Sequence, residues 1–310
     1  MLHFPYIGSG PYCYANSFAM MLGKSAPSVT VIEFATGSPF GMQLIRGALP
    51  FFGPYGWNPE KGFDDALRSL GWSSAVSKGG SAEDALHRLQ AALEEGPVWI
   101  GPVEMGHLRH QPGMSGPIGA DHYVVALEMA EGRVLLHDPH GHPYVSLPVV
   151  DFMEAWSAKT LDYGQPYTMR TGFEQLREVS EEEVIAASIP VAIHWLSMDD
   201  DPDVPEATLG NGAAAEKLAG LLEAGCSDDL RGHLMHFAIR VGVRRLADGA
   251  TCLRRIGFAE AAAVMAEQAR IVGSLQYPVA VGDNAIAAAL LRRLAPTYDR
   301  LLSAFRAFPC

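Results

Sequence analysis

The chain is poor in positive charge. Its 310 residues carry 23 Lys and Arg against 35 Asp and Glu, a formal net charge of −12. That balance argues against a general binder of nucleic acid or of an anionic membrane. Cysteine is scarce, with four residues at 13, 226, 252 and 310. They show neither the paired spacing of a zinc site nor the density of a disulfide framework. Free thiols in a reducing cytoplasm are therefore expected. No apolar run reaches membrane-spanning length. The opening MLHFPYIGSG lacks the basic start and apolar core of a secretion signal, so none is expected. The Gly-rich pieces GPYGW and KGGS lack phosphate-loop spacing and are expected to be turns.

What is present is an ordinary globular composition, 48% hydrophobic and 19% charged, with length for one large domain or two smaller ones. The first half mixes Gly and Pro loops with short apolar runs bounded by turn residues. GPVWIGPV (96–103), HYVVALEM (122–129) and RVLLHD (133–138) are expected strands. GFDDALRSLG and SAEDALHRLQAALEEG are expected helices, the second capped by Ser81 with Glu83 and Asp84 in its first turn. After about residue 174 the texture changes. SEEEVIAAS carries a capping-box pattern from Ser180 to Glu183. An acidic connector, MDDDPDVPEATLGNG, leads to Ala- and Leu-rich helical stretches at 213–225, 228–247, 258–274 and 284–308, the last with an expected kink at Pro296. The expected architecture is an α+β domain over 1–174 followed by an all-α helical domain over 175–310.

Cys13 lies in GPYCYANSFAMMLG, residues 10–23. Tyr14, Phe18, Met21 and Leu22 fall on one face of a helix, and Gly23 is a plausible stop. The thiol thus lies in a first turn, where free backbone N–H groups and the helix dipole favour a thiolate. The alternative is a small buried thiol packed beside Met and Phe.

A nucleophilic cysteine needs a base and a group to orient that base. The best candidates are His122, which opens one strand, and Asp138, which closes the next. A three-residue hairpin loop at 130–132 pairs Met129 with Arg133. His122 then lies opposite His140, Val124 lies opposite Asp138, and His122 and Asp138 become diagonal neighbours on one face. A two-residue Glu131-Gly132 turn would put them on opposite faces. Taken singly, the alternative for His122 is a strand-end histidine held by a hydrogen bond, and for Asp138 a turn aspartate before Pro139. In combination, Cys13, His122 and Asp138 follow the chain order of papain-like Cys-His-Asp/Asn enzymes.

GPYCYANSFAMMLG, GPVWIGPVEMGHLRHQP and HYVVALEMAEGRVLLHDPHG resemble the N-terminal domain of the butirosin biosynthesis protein H family. That domain is similar in turn to bacteriocin-processing cysteine peptidases. The helical half, with LRGHLMHFAIRVGVRRLADGA, is loosely similar to the family's second domain. The resemblance implies a papain-like fold. It also implies a cysteine acyltransferase that moves an aminoacyl group from a carrier-protein thioester to a small-molecule amine, with Cys13, His122 and Asp138 in the catalytic roles. Papain-like enzymes often place a Gln before the cysteine to complete the oxyanion hole. Residues 1–12 hold neither Gln nor Asn. The backbone N–H of Cys13 is one expected donor, and Tyr6, Ser9, Tyr12 and Asn16 are candidates for another. The same triad serves a peptidase, an amidase or a thioester cyclase, and a scaffold protein that kept the fold is a third class.

Glu104, in PVEMGHL, is a candidate to line the cleft and hold an amine, against the alternative of a solvated loop carboxylate. The Gly/Pro-rich loop 109–121 runs into His122 and is either a lid or a long connection. Between 231 and 255 the arginines Arg231, Arg240, Arg244, Arg245, Arg254 and Arg255 face a single acid, Asp248. Of these, Arg240, Arg244, Arg245, Arg254 and Arg255 are candidates to dock an acidic carrier protein and its phosphopantetheine arm, or else helix-surface side chains paired with acids elsewhere. His137, His140 and His142 crowd HDPHGHP, but no Cys or Glu stands at ligand spacing. No metal or other cofactor is expected, and a homo-oligomer is compatible with the sequence.

Overall fold

The computed structural model describes residues 12–198 and 202–307. They form two units, Tyr12–Val29 with Gly71–Glu178, and 30–70 with 179–307. The expected division at 174/175 is corrected in two ways. The second crossing falls after Glu178, and the segment 30–70 belongs with the helical unit. Its strand Gln43–Ile45 pairs with Leu209–Gly210, and its Glu33 pairs with Arg245. Contacts of such sequence separation leave no trace in local composition.

The first unit is mixed α and β. Its helices are α1 (Cys13–Leu22), α2 (Ala82–Glu95) and α3 (Val149–Trp156). Its strands are β1 (Trp72–Ser77), β2 (Val98–Glu104), β3 (Asp121–Ala130), β4 (Arg133–Asp138), β5 (His142–Pro148) and β6 (Met169–Gln175). The six strands make one antiparallel sheet in the order β1-β6-β2-β3-β4-β5. Side chains alternate along each strand, so each face has its own core. On one face Val98, Ile100, Val124, Ala126, Val134 and Leu136 bury against Ala85 and Leu89 of α2 and Phe152 and Trp156 of α3. On the other, Trp99 stacks on Phe18 of α1 at 4.7 Å, and Tyr123 meets Tyr14 edge-on at 5.8 Å. Each of the buried Val, Leu, Ile and Phe side chains contributes about 1.5–3 kcal/mol relative to exposure. Local signals set the helix ends. Gly23 leaves α1 at φ 62°, and Ser81 and Asp84 cap each other at the start of α2.

The β3–β4 hairpin departs from the expected register. Its turn has two residues, Glu131 and Gly132, both at positive φ (50° and 72°), so Ala130 pairs with Arg133 and Met129 with Val134. That is the turn expected to place His122 and Asp138 on opposite faces. A bulge between Ala126 and Glu128 then inserts Leu127 as an extra residue, and Val125 pairs with His137. One added residue shifts the register back by one, and the two candidates share a face after all.

The second unit holds a three-stranded sheet in which Gln43–Ile45 lies between Leu49–Phe51 and Leu209–Gly210. Its helices include Asn211–Ala224, Ile239–Arg255, Ala259–Ser274, Asn284–Leu294 and Thr297–Ala307. Two differ from expectation. Helix 228–247 is longer, running through a π-turn at Leu234–Ala238 to Arg255. Pro296 breaks 284–308 into two helices, since proline removes the N–H that a continuous helix needs. A Cβ on Gly249 would lie 2.5 Å from Met265 Cε, which fixes how closely helix 239–255 meets helix 259–274. No helix among the described residues is long and apolar enough to cross a membrane.

Candidate functional site

The site lies where β3 begins and β4 ends, beside the start of α1. Asp138 is buried and accepts four hydrogen bonds. Oδ1 takes Nε2 of His122 at 2.7 Å and the backbone N–H of His140 at 2.8 Å. Oδ2 takes Nε2 of His110 and Nε2 of Gln111, each at 2.7 Å. Burial alone would raise the Asp138 pKa. The hydrogen bonds from His110 and His122, the charge interaction with His122 and the His140 N–H outweigh it and hold the carboxyl far below its usual range. An ionised carboxylate only accepts, so each imidazole carries its proton on Nε2. His122 therefore presents Nδ1 as its basic lone pair.

Cys13 is a half-buried thiol, outside any disulfide, in the first turn of α1. Among the described residues no side chain caps this helix start and no acid stands in its first turn. Tyr14, directly after Cys13, packs on Tyr123, directly after His122. Ser17 Oγ donates to the Tyr123 carbonyl at 3.2 Å. These contacts fasten the start of α1 to the start of β3. The start of α1 and the start of β3 therefore lie at the same end of the strand.

Of the oxyanion candidates, Tyr6 and Ser9 lie outside the described residues. Tyr12 is buried, and its carbonyl accepts from Asn16 N at 2.9 Å and Asn16 Nδ2 at 2.8 Å. One N–H of the Asn16 amide is thus committed to the helix start.

Two sets of candidates are engaged within the fold. Glu104 is not a solvated loop carboxylate. It is buried at the end of β2, where Oε1 accepts from the N–H groups of Gly106 (3.0 Å) and Ile118 (3.1 Å). Its Oε2 accepts from Gly119 N (3.0 Å) and Thr160 Oγ1. Burial works to raise its pKa, but the Thr160 hydroxyl and the three N–H groups prevail and lower it. The carboxylate pins loop 105–119, and with His110 and Gln111 tied to Asp138 this loop is fastened at both ends. The arginines do not form an open basic patch. Arg245 is buried, pairs with Glu33 at 2.7 Å and lies over the Trp57 ring at 5.4 Å. Arg255 pairs with Glu181 and Glu182, and Arg244 with Asp248. Arg240 and Arg254 are exposed.

Burial first, then Asp248, pushes the Cys252 thiol up to about 12. Burial also raises Cys226. Cys310 lies outside the described residues. His137 Nδ1 accepts from Tyr144 N at 3.1 Å. Among the described residues no group of three or more His, Cys, Asp or Glu is placed to hold a metal. The sequence reading missed His110 and Gln111, because loop residues 28 and 27 positions from Asp138 have no periodic signal.

Comparison with known proteins reaches the helical unit most directly. Residues 205–306 match the model of the YobF C-terminal domain. The chain is also 32% identical over 161 residues to the uncharacterized protein YobF of Bacillus subtilis (strain 168). The aligned stretch is 51% of this chain and 52% of YobF, so the chain spans about half the length of that curated relative. The match to the family model lies wholly within the helical unit and excludes Cys13, His122 and Asp138.

Proposed function

We propose that the α/β unit is a papain-like cysteine acyltransferase in which Cys13 is the nucleophile, His122 the base and Asp138 the group that orients the base. The observation that carries this reading is the buried His122–Asp138 pair, 2.7 Å apart, at the end of β3 to which α1 fastens Cys13. Asp138 fixes the tautomer and offsets the charge of the imidazolium. His122 Nδ1 takes the thiol proton, and the thiolate attacks the carbonyl of an acyl thioester. The tetrahedral oxyanion forms beside the N–H groups at the α1 start. Its collapse expels the donor thiol, which leaves with the proton from His122. An amine then attacks the acyl-cysteine, His122 accepts the amine proton, and collapse returns it to Cys13.

The donor class rests on the family resemblance together with this geometry. A carrier protein as donor draws no support from the arginines, three of which are paired with acids. The test is intact-mass analysis after incubation with a panel of short acyl-thioesters. The expected result is an acyl adduct on Cys13 that an amine discharges faster than water does. Discharge by water alone would make the protein a hydrolase. Absence of any adduct, with Cys13 no more reactive toward iodoacetamide than Cys226 or Cys252, would end the enzymatic reading.

A further inference from the structure

The Gly/Pro-rich loop between β2 and β3 is tied to itself. Met105 N donates to the Ala120 carbonyl at 2.8 Å, and Gly116 N donates to the Gly106 carbonyl at 3.1 Å. These bonds close the loop at a neck, as in a compact Ω-loop. A Cβ on Gly106 would collide with the Gly116 carbonyl oxygen, so only glycine lets the two sides of the neck approach so closely. Glu104 holds the same neck through the N–H groups of Gly106, Ile118 and Gly119. Beyond the neck, Leu108 is buried in the core shared with α2 and α3, and its carbonyl accepts from Gln111 N at 2.9 Å. The loop thus brings Gln111 to Asp138. Gln111 is buried, and its Nε2 stands 2.7 Å from Asp138 Oδ2. A carboxylate only accepts, so the amide turns its NH2 and not its oxygen toward it.

The last torsion of an aspartate is broad and roughly two-fold. Hydrogen bonds to Oδ1 alone would leave the carboxylate free to twist away from His122. We propose that Gln111 is a positioning residue for the base: its amide holds Oδ2 of Asp138, keeps Oδ1 aimed at His122 Nε2, and is itself held in place by the neck of loop 105–120. An amide does not ionise, so it offers its N–H whatever charge the neighbouring imidazoles carry. His110 Nε2 shares Oδ2, and the His140 N–H shares Oδ1 with His122. Without Gln111 the carboxylate therefore still has three donors, and what it loses is a firmly fixed Oδ2. The catalytic consequence rests on the proposed function. The hold on the carboxylate rests on the geometry of the loop.

The test has two arms on the full chain, at one fixed pH. The first is proton NMR of the His122 Nε2–H, assigned by its loss in His122→Gln. Gln111→Met keeps the length and bulk of the side chain but has no N–H. It should speed exchange of that ring proton with water roughly tenfold or more, the scale of one hydrogen bond to a charged group. Gly106→Ala leaves Gln111 in the chain but forces the neck apart, and it should speed exchange in the same direction. Exchange within about twofold of wild type in Gln111→Met would overturn the proposal, and the same result in Gly106→Ala would overturn the role of the neck. The second arm is transfer from a short acyl-thioester. Gln111→Met should lower kcat roughly tenfold and leave KM within about twofold. In an Asp138→Ala background the same substitution should change kcat less than about twofold, because no carboxylate is left to hold. An undiminished loss in that background, or a rise in KM alone, would show that Gln111 does not act through Asp138. If the wild-type protein forms no acyl adduct, the proposed function fails, while the NMR arm still decides whether Gln111 holds the carboxylate.

Discussion

His122 Nε2 stands 2.7 Å from Asp138 Oδ1 because Leu127 is an extra residue in β3. The two-residue turn at Glu131-Gly132 sets one register near the hairpin end, and the bulge sets another at the His122 end. A one-residue slip carries every side chain beyond it to the other face. The pair therefore depends on Leu127, which takes no part in the hydrogen bond between them.

Deletion of Leu127 tests this dependence. The ladder should then keep the turn's register along its length and separate His122 from Asp138. The expected outcome is loss of the hydrogen-bonded His122 Nε2–H resonance in a protein that retains its far-UV circular dichroism. A crystal structure of the deletion with the bond intact would show that the register is set from the His122 end.

Cys13→Ala should abolish transfer and leave the fold unchanged, because only the nucleophile is lost. Cys13→Ser should be nearly inactive, since its hydroxyl is far less acidic than a thiol. Single-turnover assays on an acyl-thioester read both. Near-wild-type activity in either would remove Cys13 from the mechanism.

Asp138→Asn exchanges an acceptor of four hydrogen bonds for an amide that can accept at one oxygen only. It should fold less stably and lose on the order of 10²–10⁴ in kcat, the scale of a lost tautomer and lost charge in a triad. A change in KM with kcat intact would place Asp138 in substrate binding instead.

Glu104→Gln should loosen loop 105–119. A glutamine offers one oxygen where four donors converge, so two donors lose their acceptor, at about 1–3 kcal/mol each. The pH dependence has a definite sign. The Glu104 and Asp138 carboxyls are both lowered by folding, from 4.5 and 3.8. Their stabilisation is fully present above those unfolded values and is lost as pH falls through the lower folded ones. Urea unfolding at a series of acidic pH values should show stability falling below about pH 4.5, less steeply in Glu104→Gln. Identical slopes would mean that Glu104 titrates alike in both states.

Arg245→Met should destabilise the helical unit by about 3–5 kcal/mol, because the buried Glu33 loses the guanidinium 2.7 Å from its Oε1. Adding Glu33→Gln should recover much of that loss. Arg254→Glu, at an exposed position, should stay within about 0.5 kcal/mol of wild type. Denaturant midpoints decide, and an unaffected Arg245→Met would show that the Glu33 pair is energetically neutral.

Local signals in the sequence determined a good deal of this protein. The apolar face of α1 and its Gly23 stop, the capping box at Ser81, the capping pair Ser180 and Glu183, and the apolar strands β2, β3 and β4 all arise from interactions within a few residues. Such interactions are written in the order of the chain. The charge signal of the arginines misled for the same reason. Their partners Glu33, Glu181 and Glu182 lie far away along the chain, so the local excess of positive charge disappears on folding. Tertiary structure alone decided the assignment of 30–70 to the helical unit and the conversion of Glu104 into a loop anchor. It alone brought His110 and Gln111 to Asp138. Above all it decided the bulge at Leu127. The turn residues by themselves specify the wrong face for His122, and only packing of both faces of the sheet, against α1 on one side and α2 and α3 on the other, selects the register in which His122 meets Asp138.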